Sequence, residues 1–344
     1  MHFDKSSARS IGYLGAAMDD VDYRKWIETI DVLSEAQRVD LWTILSGRSS
    51  KAEVIAALEG GVLAARKCVH CGEHGVVCRG EASGLRRFYC PHCSKTFNAL
   101  TGTPLAHLHK KERWFDFAQS LGEGETVRKS AARCDLAVST AFRWRHRFLQ
   151  AIKTAAAPLC GIVEADETYV LESHKGSRAW KRSEQGHPDA VAPERKPRKR
   201  GGKASKRGLS NEQVAILMAA DRTGTTVSSV LPAVNADAIE DVLSPVLNKD
   251  ALLVTDGARI YPVCADKLGV SHETLNLSAG ERVRGDLHIQ TVNSRHERLK
   301  TFLRRYRGIA TQYLGSYLKW FHLTGIQLNP SPRACLNAAL GLAR

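Results

Sequence analysis

Two Cys-x-x-Cys steps, Cys68-Val-His-Cys71 and Cys90-Pro-His-Cys93, restrict what this chain can fold into more than any other feature; eighteen residues separate them. One such turn aims two thiolates at two corners of a tetrahedron, and a pair of turns closes a four-thiolate shell around a structural Zn2+. A ribbon this short buries little apolar surface, so the metal would supply much of its folding energy. Arg86-Arg87-Phe88-Tyr89 reads as a strand leading into the second step. His74, Cys78 and His92 stand close enough to be substitute ligands, but the paired spacing favours Cys68, Cys71, Cys90 and Cys93. The chain has nine cysteines, an odd number, and its polar start has no signal-peptide core, which argues against a disulfide framework. The other five, Cys78, Cys134, Cys160, Cys264 and Cys335, are scattered and read as ordinary buried thiols.

Helical spacing flanks the ribbon on both sides. Trp26, Ile27, Ile30, Leu33, Val39, Leu41, Trp42 and Leu45 predict one helix from Tyr23 to Gly47, and a second runs from Ala52 to Leu58 and stops at Gly60-Gly61. After a Thr/Gly/Pro linker, Asn98 to Leu108, come a helix over Lys111 to Leu121 and a pair of helices joined by a short turn at Cys134 to Val138. Ser139-Thr140 is placed to cap the last of these, which runs to about Ile152. Helix, short turn, helix is a helix-turn-helix. Ala141, Trp144, Phe148 and Ile152 share one face of the second helix, and Arg145 falls inside that stripe, so its head should snorkel. Arg143, His146 and Arg147 lie opposite, where they can meet bases or phosphates in a major groove.

Charge points the same way. Fifty Lys and Arg stand against 36 Asp and Glu, a net +14, which suggests a polyanionic partner, nucleic acid first. The segment 173–211 is especially basic. It includes Arg198, Lys199 and Arg200, and Gly201-Gly202 and several prolines argue against a packed core there. Beside a reaction site it would add salt-sensitive phosphate contacts. No apolar run approaches the ~20 residues of a membrane span, so a soluble protein that stays where it is made is expected.

From Gly161 the pattern changes. Strands are predicted at Ile162 to Val170, Gln213 to Asp221, Thr225 to Val230, Ala251 to Thr255 and Ser271 to Leu277, with helices at Asn235 to Val246, Thr291 to Arg305 and Thr311 to Thr324. Three strands, then alternating helix and strand, is the ribonuclease-H-like order: an α/β domain with a mixed sheet and helices on both faces. Asp166 is an acid inside an apolar strand, costly unless paired or metal-bound. Asp256 ends a buried strand, where ligand sites of open α/β sheets gather. Glu164 shares the Asp166 side of its strand, and Glu167 faces away. Carboxylates gathered from distant sequence can hold two Mg2+ about 4 Å apart, which activate a water or a hydroxyl and neutralise a phosphate in flight. Asn293, Glu297 and Lys300 share one helix face, opposite Val292, Leu299, Phe302 and Leu303, which can dock on the sheet.

Val163-Glu-Ala-Asp-Glu-Thr-Tyr-Val170, Leu253-Val-Thr-Asp-Gly257 and His288-Ile-Gln-Thr-Val-Asn-Ser-Arg-His-Glu-Arg-Leu-Lys300 resemble the transposases of insertion-sequence family 1595, the ISXO-two-like group. Arg307-Gly-Ile-Ala-Thr-Gln-Tyr-Leu314 and the ribbon match that group too, so the resemblance spans roughly residues 20 to 325. It implies strand transfer dependent on Mg2+ or Mn2+ at the terminal inverted repeats of a mobile element and into target double-stranded DNA. It also implies a homo-oligomer on DNA, in the bacterial cytoplasm at the nucleoid. The group's third catalytic position is Glu or Asn, with Lys seven residues on. Here it falls on Asn293 and Lys300, with Glu297 in reserve.

The expected layout is a helical module (1–62), a zinc ribbon (63–104), a helix-turn-helix domain (105–157), a catalytic domain (158–330, with the basic insertion 173–211) and a C-terminal tail (331–344). The rival readings are a zinc-ribbon, helix-turn-helix regulator without enzymatic activity, which gives Asp166 and Asp256 no purpose, an inactive domesticated transposase kept for DNA binding, and a nuclease that hydrolyses without joining.

Overall fold

A computed structural model describes residues 20–30, 32–34, 37–38, 52, 54–152, 157–188, 191, 202, 204–206, 208–326 and 330–341. The chain divides into two units, Met1–Glu53 and Val54–Arg344. In the first, helix α1 spans Asp20–Ile30. The single helix expected from Tyr23 to Gly47 is broken after α1 by a turn at 32–34. Ser34 and Gln37 cause the break. The Ser34 N–H donates to Gln37 Oε1 at 2.9 Å and the Gln37 N–H donates to Ser34 Oγ at 3.3 Å, a capping box that starts a new helix. The remainder of that prediction, beyond Arg38, lies outside the described residues.

The second unit opens with helical residues 54–65, which run through Gly60 and Gly61 instead of stopping there. Two glycines cost about 1 kcal/mol each relative to alanine. Tertiary contacts offset that: Val54 and Leu58 are buried, and the buried Glu59 accepts the Arg86 main-chain N–H at 2.6 Å and pairs with its guanidinium at 3.3 Å. The ribbon is a three-stranded antiparallel sheet of β1 (Val77–Ala82), β2 (Leu85–Tyr89) and β3 (Thr96–Phe97). Helices α2 (Trp114–Gly122), α3 (Val127–Arg133) and α4 (Val138–Gln150) follow. Trp114, Phe117, Trp144 and Phe148 lock α2 to α4 with ring centroids 5.1–6.4 Å apart. The cap of α4 is Ala137, with no side-chain hydrogen bond, so Ser139 and Thr140 lie inside the helix and do not start it.

A five-stranded sheet forms from β4 (Ile162–Leu171), β5 (Gln213–Asp221), β6 (Thr226–Val230), β7 (Leu252–Asp256) and β8 (Ser271–Leu275), in the order β6-β5-β4-β7-β8. The β6, β5 and β4 ladders are antiparallel and β4, β7 and β8 are parallel, which makes the expected mixed sheet. The short helix α5 (Ala179–Glu184) sits in the basic segment after β4. Helices α6 (Ala236–Leu243) and α7 (Ile260–Leu268) supply a core on one face with Val163, Ala165, Leu217 and Leu253. Asn235 Oδ1 caps α6 by accepting the Ala238 N–H at 2.9 Å. The sequence reading missed α7, where Pro262 masks a helical pattern it can join in the first turn.

The other face carries α8 (Gln290–Arg304), reached through the hairpin β9 (Val283–Arg284) and β10 (Leu287–His288), and α9 (Leu314–Phe321); α10 (Pro332–Ala339) follows. The stretch expected as a tail therefore contributes a helix. Ser331 Oγ caps it, and its Cys335 and Leu336 are buried against α2 and α4. One continuous core joins Val54, Trp114, Phe148, Val254, Leu299, Trp320 and Leu336.

Candidate active site

The strand ladder positions the two aspartates. The β4–β7 pairing ends at Glu164↔Val254, and Asp166 and Asp256 each lie two residues beyond that pair. They occupy matching places where two parallel strands have parted. The period of two puts them on the side of Glu164 and Val254, the face that α8 covers. Asp166 keeps 20 % of its side-chain exposure, and its Oδ1 accepts the Glu167 N–H at 2.8 Å. Asp256 Oδ1 accepts the Ala258 N–H at 3.1 Å, the turn its Asp-Gly sequence favours. Burial, then the Asp256 and Glu167 carboxylates, push Asp166 up to about 7, against the Glu167 main-chain hydrogen bond and Lys300. Among the described residues no Lys or Arg pairs with either aspartate. Two crowded carboxylates with no Lys or Arg paired to them fit a bound divalent cation.

Helix α8 faces this opening. Val292, His296, Leu299 and Phe302 are its buried residues. His296 meets Asp166, with Nδ1 3.8 Å from Oδ2. Burial holds its imidazole down to about 4, assisted by Lys300 and opposed by a hydrogen bond to the Asp166 main chain. Sequence reasoning quoted His296 within a motif and gave it no role. At ~100° per residue, Asn293 and Lys300 lie about 60° and 40° around the helix from His296, while Glu297 lies about 100° away. Asn293 and Glu297 are exposed. The Glu297 carboxylate pairs with Lys300 at 3.1 Å and Arg304 at 3.9 Å.

Glu164 shares the side of Asp166 but has a different fate. Fully buried, it pairs with Arg222 at 2.5 Å and His288 at 3.2 Å, and accepts the Val292 N–H at 2.9 Å. It thereby fastens the first turn of α8 to β4. Glu167, on the opposite face, accepts the buried Tyr261 hydroxyl at 2.7 Å.

In the ribbon, Cys68, Cys71, Cys90 and Cys93 hold their sulfurs within 4.8 Å of one another. Cys68–Cys93 and Cys71–Cys90 are each 3.7 Å apart. A tetrahedron with metal–sulfur bonds of about 2.3 Å has edges of about 3.8 Å, whereas a disulfide is about 2 Å. The substitutes are elsewhere: His74 Nδ1 bonds the Ala65 carbonyl, Cys78 Sγ reaches the Gly80 carbonyl, and neither they nor His92 join the group.

On α4 the three expected DNA contacts part company. Arg143 is exposed. His146 stacks on Tyr313 with centroids 4.2 Å apart, and burial and Arg145 hold it down to about 4. Arg147 ties down the linker through the Pro104 and Ala106 carbonyls. Arg145 does not snorkel: it is fully buried, donates to the Glu125 carbonyl at 2.7 Å and Ser130 Oγ at 3.2 Å, and lies 4.4 Å over the Trp320 ring. Arg198, Lys199 and Arg200 lie outside the described residues.

A protein in transposable element ISH50 of Halobacterium salinarum, itself uncharacterized, is 29 % identical over 261 residues, covering 74 % of this chain and 84 % of that one. Among solved structures, a pre-cleavage Mos1 transpososome aligns over 65 % of this chain and 78 % of that one, at 12 % identity and a TM-score of 0.24. A Mos1 mariner paired end complex with Mn aligns over 98 % and 83 %, at 12 % identity and 0.22. Scores this low do not bear on the architecture. The family model that matches, over residues 158–322, is the ISXO2-like transposase domain. The two aspartates at the parted strand ends lie inside the span that matches the ISXO2-like transposase domain, and the four-cysteine cluster lies ahead of it.

Proposed function

We propose that this transposase binds the ends of an insertion sequence and cuts and joins DNA at the parted ends of β4 and β7, on a ribonuclease-H-like domain. The observation that carries this is the equal offset of Asp166 and Asp256 past the last β4–β7 pair, on the face covered by α8. Bound Mg2+ or Mn2+ would activate the attacking oxygen and neutralise charge on the phosphate.

The chain's own groups do the rest. Asp166 and Asp256 would hold the cations, each carboxylate taking one main-chain hydrogen bond, from the Glu167 and Ala258 N–H groups. Asn293 offers a neutral carbonyl oxygen from the adjoining edge of α8, and Lys300 brings a cation toward the phosphate. The ribbon takes Zn2+ in its four thiolates, and α3–α4 serves as a helix-turn-helix with Arg143 toward DNA. Bringing two element ends together calls for at least two copies of the chain.

The test uses duplexes carrying the inverted repeats that flank the gene. Asp166→Asn and Asp256→Asn should each abolish Mg2+-dependent cleavage and joining while a mobility shift shows DNA binding intact. Near-normal cleavage by either variant would remove that residue from the site.

A further inference from the structure

We propose that His296 is a positioning residue for Asp166, whose imidazole holds the carboxylate in the orientation that a divalent cation needs. The proposal rests on the reading of Asp166 as a metal-holding residue.

The position is an unusual one for an imidazole. The other buried residues of α8, Val292, Leu299 and Phe302, are apolar. His296 is 4 % exposed in their midst, and its Nε2 has no hydrogen-bond partner among the described residues. A leucine there would seal the helix on the sheet without burying polar nitrogens, so packing alone gives no reason for a histidine. What the ring does address is Asp166. Nδ1 lies 3.8 Å from Oδ2, beyond hydrogen-bond length but within reach of a small carboxylate rotation.

The other carboxylate oxygen is already held, since Oδ1 accepts the Glu167 N–H at 2.8 Å. The terminal torsion of an aspartate is broad, so one hydrogen bond leaves the carboxylate plane free to swing. A second contact, from His296 Nδ1–H to Oδ2, fixes it. Oδ2 has two lone pairs, so it can accept that N–H and still offer an electron pair to a cation. Glu164, two residues back on β4, sets the helix through Val292 N–H, and His296 is one turn further along. The strand that carries Asp166 thus determines where the imidazole stands.

The experiment measures Mn2+ binding to the full-length protein by electron paramagnetic resonance, with circular dichroism as a check on folding. His296→Leu should keep its fold and bind Mn2+ about 10–100-fold more weakly, the usual effect of losing a group that orients a metal ligand. His296→Asn, whose amide nitrogen stands where Nδ1 stands, should restore binding to within a few-fold. His296→Gln, whose amide reaches the Nε2 place, should not, and comparing these two polar variants decides the matter even if the leucine variant fails to fold. Wild-type Mn2+ affinity in His296→Leu, or equal loss in His296→Asn and His296→Gln, would overturn the proposal. So would nitrogen modulation of the Mn2+ signal, which would make His296 a ligand. Asp166→Asn separates the two readings. If it binds Mn2+ normally, the metal site itself is wrong; if it loses Mn2+ while His296→Leu does not, only the role of His296 fails.

Discussion

Glu164 and Asp166 are two residues apart on one side of one strand, yet their surroundings give them opposite tasks. Glu164 pairs with Arg222 and His288 and accepts a main-chain N–H. Asp166 stands near another carboxylate, and among the described residues no Lys or Arg pairs with it. Glu164→Gln keeps the shape and removes the charge, and should destabilise the protein by about 1–3 kcal/mol in urea unfolding, because Arg222 loses its counter-charge and one of the two acceptor oxygens becomes an amide donor. Asp166→Asn relieves crowding and should leave stability level or raised while activity disappears. The choice on α8 also belongs to this scale. Glu297, 67 % exposed and paired with Lys300, is turned away from the aspartates. Glu297→Ala should leave strand transfer within a few-fold of normal, and Asn293→Ala should depress it strongly. The reverse outcome would put the third position one turn later.

At the scale of elements, the ribbon and α4 depend on different forces. The ribbon core is Val76, Phe88 and Phe97 packed around the cysteines, too little apolar surface to fold without a metal. Metal analysis should find about one zinc per chain, as one four-thiolate shell requires. Cys71→Ser should release it, loosen β1–β3 and weaken end binding; a zinc-free protein that binds ends normally would contradict this. Helix α4 is held by aromatic packing and by Arg145, whose guanidinium bridges Glu125, Ser130 and Trp320. Arg143→Ala should lower DNA affinity and flatten its dependence on salt without changing stability. His146→Ala and Arg147→Ala should chiefly lower the melting temperature, since those side chains serve Tyr313 and the linker carbonyls.

At the scale of the whole molecule, one core runs from Val54 to Leu340, so the α2–α4 helices and the sheet are not independent bodies. A fragment of residues 105–157 would lack α9 and α10, which pack on α4 and bring Trp320 to Arg145, and should show no cooperative melting. Acid should also loosen this core. His322, buried on Ser228 Oγ at 2.8 Å, is held down to about 4 by burial and Arg295. Its folded-state value lies below the ordinary 6.5, so the unfolded chain takes up the proton first. Stability is unaffected above about pH 6.5 and falls as pH drops toward 4, by at most about 1.4 kcal/mol per pH unit for this one group. His322→Gln should flatten that slope in melting curves taken from pH 7 to 4.

What the sequence determined by itself was whatever depends on local spacing. The paired cysteine steps foretold the four-sulfur cluster, and alternating apolar runs foretold the mixed sheet with Asp166 inside one strand and Asp256 at the end of another. The Ser34–Gln37 break was also written locally, in a capping box that apolar periodicity overran. Tertiary structure decided the rest, because burial and counter-charge are properties of neighbours distant along the chain. Residues 54–65 stay helical across two glycines because Glu59 finds Arg86. Arg145 goes inward because Trp320, far along the chain, gives its cation a ring face. The last helix joins the core because α2 and α4 leave an apolar face for Leu336. His296 had no legible role until α8 lay across β4, since only that crossing brings its imidazole to a carboxylate 130 residues earlier.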